Sequence, residues 1–321
     1  MRILFMGSGE FGVATLKWLR QSHHEMVEVI TQPARPAGRG KKLQPTPIFQ
    51  TARQMNLNCL ETVDVNAPAL LEHIKNLQPE IILVIAFGQK IGKELLNLPG
   101  CRAINLHGSL LPKYRGAAPI NWAIINGERE TGLTVIEINE VWDAGAILGQ
   151  LRSPIKPQER AGELHDRLAE LGPELVAQVL EKLETGTLSP EVQNENEASR
   201  APKLGKEDGA ICWSQPAQKI RNHIHGTWPW PGAYCYFQKR GGKMKRERLI
   251  VARTEVMSED RSGTSPEWPQ TPGMIAQDMS IGCGSGRVQL LEVKAEGGKL
   301  MPFDKFVNGR HLQKGDVLSD G

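Results

Sequence analysis

The run Ile-Ile-Leu-Val-Ile-Ala at residues 81–86 constrains the fold more than any other feature, because all six of its residues are apolar. Such a run is typical of a parallel strand that is buried on both faces. Shorter, mostly apolar stretches at residues 2–6, 27–30 and 103–106 predict further strands of the same sheet. Residues 134–138 predict an alternating strand that is covered on one face only.

Helical patterns separate these predicted strands, at residues 47–55, 67–76 and 119–125. Strand and helix therefore alternate from residue 1 to about residue 150, which predicts a doubly wound, mostly parallel α/β sheet. Residues 159–183 predict a long helix, in which Gly172-Pro173 is a candidate break.

The pattern changes after this helix. Residues 189–205 are polar and irregular, so we expect a surface linker between a catalytic domain at residues 1–188 and a second domain at residues 206–321. The second domain has short strand-like runs between glycine-rich turns, which predicts a small OB-like β-barrel. These runs lie at residues 233–237, 249–251, 274–276 and 288–293.

The composition is that of an ordinary globular protein, with 40% hydrophobic residues and a net charge of +3. The five cysteines are widely spaced and form no C-x-x-C pair, so neither a disulfide framework nor a thiolate zinc site is indicated. The pair His223 and His225 lacks a third ligand, and we assign no metal. No apolar run approaches the ~20 residues that span a bilayer, and the widely spaced cysteines suit a reducing compartment, so we expect a soluble, cytoplasmic protein without a membrane partner. We also expect a monomer.

A glycine motif, Gly7-x-Gly9-x-x-Gly12, follows the first predicted strand and matches the dinucleotide-binding fingerprint. That fingerprint also requires an acidic residue at the end of the second strand. Here this strand runs into Thr31-Gln32-Pro33. We therefore interpret the motif as a tightly packed turn, and an NAD(P)-dependent dehydrogenase stays a minor alternative.

The side chains that indicate chemistry are Asn105, His107 and Asp143. Asn105 and His107 stand two residues apart at the end of a predicted strand, so they face the same side of the sheet edge where ligands bind in α/β folds. Asp143 lies in a glycine-containing loop after another predicted strand. By residue type alone, His107 could equally be structural and Asp143 could cap a turn.

The trio suits acyl transfer to an amine, because an amine needs no serine or cysteine nucleophile. An amide and a protonated imidazole can stabilise the oxyanion that forms on the acyl oxygen. A carboxylate beside them can orient the ring and take a proton from the amine.

Residues 105–120, from Asn105-Leu106-His107-Gly108 to Pro119-Ile120, resemble the signature of formyltransferases that use 10-formyltetrahydrofolate. Asp143, in its Trp-Asp-Ala-Gly context, falls where that family has its catalytic aspartate. The resemblance implies that Asn105, His107 and Asp143 are catalytic. It also implies that the folate co-substrate is lined by Ser109, Leu110, Leu111 and Pro112.

The loop after the second strand, at residues 31–45, is similar to the basic loop of family members that act on charged tRNA. Between Glu28 and Glu61 the chain has five basic residues and no acidic one, as expected for a loop that contacts phosphates. The resemblance implies initiator methionyl-tRNA as the partner. The residues that we predict to bind it are Arg35, Arg39, Lys41, Lys42, Lys206, Lys243, Lys245 and Arg246.

Two further alternatives stay open at this point. The first is a folate-dependent formyltransferase or hydrolase that acts on a different small amine. The second is a tRNA-binding module without catalysis, in which His107 would have no chemical role.

Overall fold

The structure is a computed structural model that describes residues 1–37, 40, 42–237, 246–257 and 271–321. The predicted loop at residues 258–273 lies almost wholly outside the described residues. Two compact units are present, and each draws on several stretches of the chain. The first comprises Met1–Pro119, Glu130–Pro154 and His165–Ala201, and the second comprises Ile120–Arg129, Ile155–Leu164 and Pro202–Gly321.

The elements alternate in the first half of the chain, and strands predominate in the last third. The strands of the described residues are β1 (Arg2–Gly7), β2 (Glu25–Thr31), β3 (Arg35–Ala37), β4 (Lys42–Gln44), β5 (Cys59–Glu61), β6 (Ile81–Ile85), β7 (Arg102–His107), β8 (Glu130–Glu137), β9 (Ile147–Pro154), β10 (Ala233–Phe237), β11 (Glu247–Val256), β12 (Ile281–Gly282), β13 (Arg287–Ala295), β14 (Leu300–Pro302) and β15 (Leu318–Ser319). Their α-helices are α1 (Val13–Gln21), α2 (Pro47–Gln54), α3 (Pro68–Leu77), α4 (Lys93–Leu96), α5 (Pro119–Ile125), α6 (Ala161–Glu184), α7 (Ala217–Gly226) and α8 (Phe303–Arg310).

The main sheet of the first unit has the strand order β5-β2-β1-β6-β7-β8-β9. β5, β2, β1, β6 and β7 are parallel, whereas β8 and β9 run antiparallel at one edge. Every residue of β6 is buried, as its apolar run predicts. The strand order reverses between β1 and β6, which places a crevice at the carboxyl ends of these strands. The predicted doubly wound, mostly parallel sheet is confirmed.

Two details differ from the sequence prediction. β8 is buried from Thr131 to Ile136 and not on one face only. The polar Thr134 tolerates this burial because its hydroxyl donates to the carbonyl of Ser109 at 2.6 Å and accepts the amide of Leu111 at 3.1 Å. α6 continues through Pro173 without a break.

The glycine motif serves close packing. A Cβ at Gly7 would lie 2.7 Å from the ring of Phe5, and one at Gly12 would lie 3.2 Å from the same ring. The amide of Gly9 donates to the carbonyl of Ala86, so the turn after β1 is tied to the chain that leaves β6.

The sheet of the second unit has the order β12-β13-β11-β10-β15, with β14 paired to β13, and all of its described pairs are antiparallel. Residues 274–276, predicted as a strand, contribute single bridges that join the two ends of this path. Met274 pairs with Val317 and Ile275 pairs with Ile281. The sheet therefore closes around an apolar core that includes Trp213, Phe237 and Phe306, in agreement with the predicted small barrel.

A short hairpin, β3–β4, stands apart from both sheets. It forms from the two described ends of the basic loop and pairs Arg35 with Gln44 and Pro36 with Leu43. Among the residues that the structure describes, no helix combines the length and apolar character that crossing a bilayer requires.

Candidate active site

A pocket opens at the carboxyl end of β6 and β7 in the first unit. Its floor comes from neighbouring strands, because Val84 of β6 pairs with Asn105 of β7 and Asn105 pairs with Ile136 of β8. All three of these side chains line the pocket, together with Asp143. The volume is about 60 Å³.

His107 follows Asn105 by two residues on β7, and its side chain is 6% exposed. Its Nε2 lies 3.0 Å from the carbonyl oxygen of Tyr114. Since a carbonyl can only accept, Nε2 carries a proton and donates it there. Tyr114 has a φ of +65°, an unusual conformation for a non-glycine residue, which aims this carbonyl at the ring. The other ring nitrogen, Nδ1, is therefore the one available for chemistry.

Asp143 approaches that available nitrogen. Its Oδ2 lies 3.7 Å from Nδ1 of His107 and accepts the backbone amide of Gly116 at 2.8 Å. Asp143 also has a positive φ, +55°, in the loop between β8 and β9. The turn needs Gly145, because a Cβ there would lie 1.7 Å from the carbonyl oxygen of Glu137. The structure thus brings Asn105, His107 and Asp143 together, although they are distant along the chain.

Sequence reasoning missed part of the pocket. Gln89, Lys90 and Ile91 line it from the loop after β6, and Trp142 lines it from the loop that holds Asp143. The side chain of Trp142 is 60% exposed. The loop after β6 could have been identified, because ligands in open α/β sheets bind beyond the carboxyl ends of the strands.

The predicted folate residues follow His107 but are not among those that line the pocket. Ser109 is fully buried, and its hydroxyl donates to the carbonyl of Lys113 at 2.7 Å. Leu111 is buried as well, whereas Leu110 and Pro112 are half-buried. Their part in binding folate stays a prediction.

Half of the predicted tRNA-binding residues are described, and all of these are exposed. They are Arg35, Lys42, Lys206 and Arg246. The guanidinium of Arg35 also donates to the side chain of Gln32. Arg39, Lys41, Lys243 and Lys245 lie outside the described residues.

The two histidines of α7 bond to the backbone. Nε2 of His223 donates to the carbonyl of Asp208 at 2.6 Å, and Nε2 of His225 accepts the amide of Thr254 at 3.2 Å. Within the described ranges, three potential metal ligands converge at His23, His24 and Glu184. There Glu184 already contacts the amino group of Met1 and both imidazoles.

A doubly wound domain has an amide and a carboxylate at one pocket and an imidazole beside the carboxylate, and a small antiparallel barrel follows it. This arrangement indicates a group-transfer enzyme. The chain belongs to the formyl transferase family: the family model "Formyl transferase" matches residues 1–180, and "Formyl transferase, C-terminal domain" matches residues 203–311. The protein is therefore a formyltransferase.

Two similar curated proteins are both named as one particular kind of formyltransferase. The chain is 41% identical over 321 residues to the methionyl-tRNA formyltransferase of Citrifermentans bemidjiense, covering 99% of this chain and 96% of that protein. It is 40% identical over 322 residues to the methionyl-tRNA formyltransferase of Caldanaerobacter subterraneus subsp. tengcongensis, covering 99% and 100%.

Solved structures agree on the fold. The methionyl-tRNA formyltransferase from Clostridium thermocellum superposes with a TM-score of 0.54 at 18% identity, covering 81% of this chain and 95% of that one. An N-formyltransferase from Helicobacter canadensis, in complex with folinic acid and dTDP-3-aminofucose, gives a TM-score of 0.65 at 17% identity, covering 90% and 98%.

Proposed function

We propose that this protein transfers a formyl group from 10-formyltetrahydrofolate to the α-amino group of methionyl initiator tRNA. One observation carries the proposal: Asn105 and Asp143 line a single pocket, and Nδ1 of His107 lies 3.7 Å from the carboxylate of Asp143. The acceptor is supported by relatives of about 40% identity over nearly the whole chain that are named methionyl-tRNA formyltransferases.

In the proposed reaction the neutral amino group attacks the formyl carbon, and negative charge develops on the formyl oxygen. Asn105 and His107 are suited to stabilise that charge, since both can donate hydrogen bonds from the same side of β7. With Nε2 committed to Tyr114, the donor on His107 is the protonated Nδ1. Such donors are worth about 3–4 kcal/mol each in related acyl transfers.

Asp143 has two tasks in this mechanism. Its carboxylate stabilises the positive charge of the His107 ring, to which it is directed by the amide of Gly116. It also accepts a proton from the attacking amine, directly or through one water. The proton that Asp143 accepts from the amine would then be returned to the folate nitrogen as the bond from the formyl carbon to that nitrogen breaks, so that no charge accumulates.

We propose that the pocket receives the reactive, one-carbon end of the folate. A volume of about 60 Å³ holds a one-carbon unit and its nearest atoms, whereas sites that enclose drug-sized ligands measure about 300–1,000 Å³. Its walls combine apolar Ile91 and Ile136 with polar Asn105 and Asp143. When bound, the folate supplies the activated formyl group, and this chain supplies orientation and charge stabilisation.

The acceptor tRNA would contact exposed basic residues. Arg35 and Lys42 flank the basic loop, and Lys206 and Arg246 belong to the second unit. Lysine and arginine contacts to phosphates supply most of the sequence-independent affinity for nucleic acids. We also propose that the protein acts as a monomer. Charged tRNA as substrate supports a cytoplasmic site of action.

The test is transfer of a labelled formyl group from 10-formyltetrahydrofolate to methionyl initiator tRNA. Free methionine and other small amines serve as competing acceptors, and an NAD(P) titration runs in parallel. We expect formylation of the charged tRNA and loss of transfer in His107→Ala. Efficient formylation of a small amine but not of the tRNA would overturn the proposed acceptor.

A further inference from the structure

Residues 191–201, here called segment 191–201, are mostly exposed, but backbone hydrogen bonds attach both ends of the segment to neighbouring parts of the first unit. At one end Glu191 and Ile147 exchange backbone hydrogen bonds of 2.7 and 2.9 Å. At the other end the carbonyl of Ser199 accepts the amide of Arg115 at 2.8 Å, and the amide of Ala201 donates to the carbonyl of Arg115 at 2.7 Å. The segment therefore lies beside the loop after β7 and beside the start of β9, which follows the loop of Asp143.

Gln193 is the buried residue at the centre of this arrangement, with 5% exposure. Its Nε2 donates to the carbonyl oxygens of Asp143 and Gly145, both at 2.8 Å. Its Oε1 accepts from Nε and Nη2 of Arg115, at 3.1 and 2.8 Å. The orientation of the amide is unambiguous, because carbonyls only accept and a guanidinium only donates.

The two carbonyls that Gln193 holds belong to the turn that aims Asp143. This turn carries a non-glycine residue at positive φ, a conformation that persists only where the surroundings enforce it. Its neighbours Val141 and Trp142 are largely exposed and give the turn little packing. The hydrogen bonds of Gln193 are thus a main restraint on the backbone from which the carboxylate projects.

Arg115 connects the side-chain amide of Gln193 to the loop after β7, which contacts His107. It stands between Tyr114, whose carbonyl orients His107, and Gly116, whose amide holds the carboxylate of Asp143. Its guanidinium is fixed in turn by Glu195, at 2.8 and 2.9 Å. This hydrogen bond lowers the pKa of the Glu195 carboxyl. The side chain of Gln193 therefore connects the loop of Asp143 to the loop that orients His107.

We propose that Gln193 is a positioning residue for formyl transfer: through the backbone of Asp143 and Gly145 it holds the carboxylate of Asp143 against His107. The role rests on the proposed function. A shift of about 1 Å in a reacting group can cost a hundred-fold in rate, so a polar side chain outside the pocket can matter to the chemical step.

The decisive variant is Gln193→Glu. It preserves shape and the contact with Arg115, but it replaces the NH2 group, which donates both hydrogen bonds, with one carboxylate oxygen that faces two carbonyl oxygens. Val192→Thr is the matched control. Val192 is the neighbour of Gln193 and is exposed, and threonine has nearly the same shape as valine. We expect Gln193→Glu to lower kcat at least ten-fold, with both KM values within about three-fold of the control. A kcat within two-fold of the control, or an effect confined to KM, would overturn the role.

A second measurement separates this role from general damage and does not depend on activity. Exchange of the Gly116 amide hydrogen reports on its bond to Asp143. In Gln193→Glu we expect it to accelerate at least ten-fold, with exchange in β6 unchanged. Gln193→Met, which removes the same donors without adding charge, should show the same exchange pattern, and equal acceleration in β6 would indicate general destabilisation instead. If the wild-type protein formylates no methionyl-tRNA, the proposed function fails, while the exchange result still decides whether Gln193 holds Asp143.

Discussion

Nδ1 of His107 lies 3.7 Å from Oδ2 of Asp143, and Nε2 of the same ring is bonded to the carbonyl of Tyr114. Because the second bond fixes the ring, the carboxylate meets one particular nitrogen. At this separation the carboxylate can orient the ring through electrostatic attraction, which is strongest where water is excluded. Both side chains are largely buried, with 6% and 10% exposure.

The first prediction concerns Asp143→Asn, which preserves shape and removes the charge. Without the carboxylate, the protonated His107 ring loses its partner and the amine loses a proton acceptor. We expect kcat for formyl transfer to fall about 10²- to 10⁴-fold, the range of a general acid–base group, with KM for the tRNA nearly unchanged. Steady-state kinetics with charged tRNA measures this, and a kcat within three-fold of wild type would refute a chemical role for Asp143.

The second prediction concerns Asn105→Leu, in which an apolar side chain of similar size replaces the amide. Asn105 is half-buried at the pocket, so the protein should fold normally and lose only a donor to the oxyanion. We expect a 10²- to 10³-fold lower kcat and unchanged urea unfolding. If activity and unfolding free energy fell together, the amide would be structural.

The third prediction concerns the basic loop. Lys42 is exposed and is the first residue of β4 in the β3–β4 hairpin. If it contacts a phosphate, Lys42→Ala should weaken tRNA binding and reduce the slope of log affinity against log salt by about 0.7–0.9. Turnover at saturating tRNA should be preserved. The control is Lys17→Ala, an exposed lysine of α1 outside the predicted tRNA set, and equal salt slopes for both variants would contradict the proposed contact.

The parts of the fold that depend on local patterns were predictable. The apolar run of β6 predicted its burial, and the spacing of Asn105 and His107 predicted that they share a face. The burial of β8 was not predictable from its pattern. Thr134 looks like a solvent-facing residue, but its hydroxyl is satisfied by the loop after β7, which no local pattern reveals.

The supports of the candidate site were harder to foresee than the site itself. The carbonyl of Tyr114 that orients His107 is a backbone group, so residue type gives no indication of it. Gln193 lies in a polar stretch without periodicity, and such stretches usually connect domains. Its contacts with Asp143 and Gly145 arise only when distant parts of the chain pack together.

A last feature of the second unit is a buried histidine. His225 is fully buried, and its Nε2 accepts the amide of Thr254. Burial, together with the positive charges of Arg221 and Arg253, lowers its pKa to about 3 from an ordinary value of 6.5. The folded protein therefore keeps this ring neutral under conditions in which the unfolded chain protonates it.

The fourth prediction follows from that difference. As the pH falls from 6.5 towards 3, the unfolded chain binds a proton at His225 that the folded protein does not bind. The contribution of this histidine therefore lowers the free energy of unfolding by up to about 1.4 kcal/mol for each pH unit. His225→Gln, whose amide oxygen can accept the Thr254 amide, should abolish that contribution. Urea unfolding from pH 7 to pH 5 measures it above the range where carboxylates titrate. The pKa values of His24 and His223 are also lowered, but they act equally in both proteins. Parallel pH dependences for wild type and His225→Gln would show that His225 binds its proton equally in the folded and unfolded states.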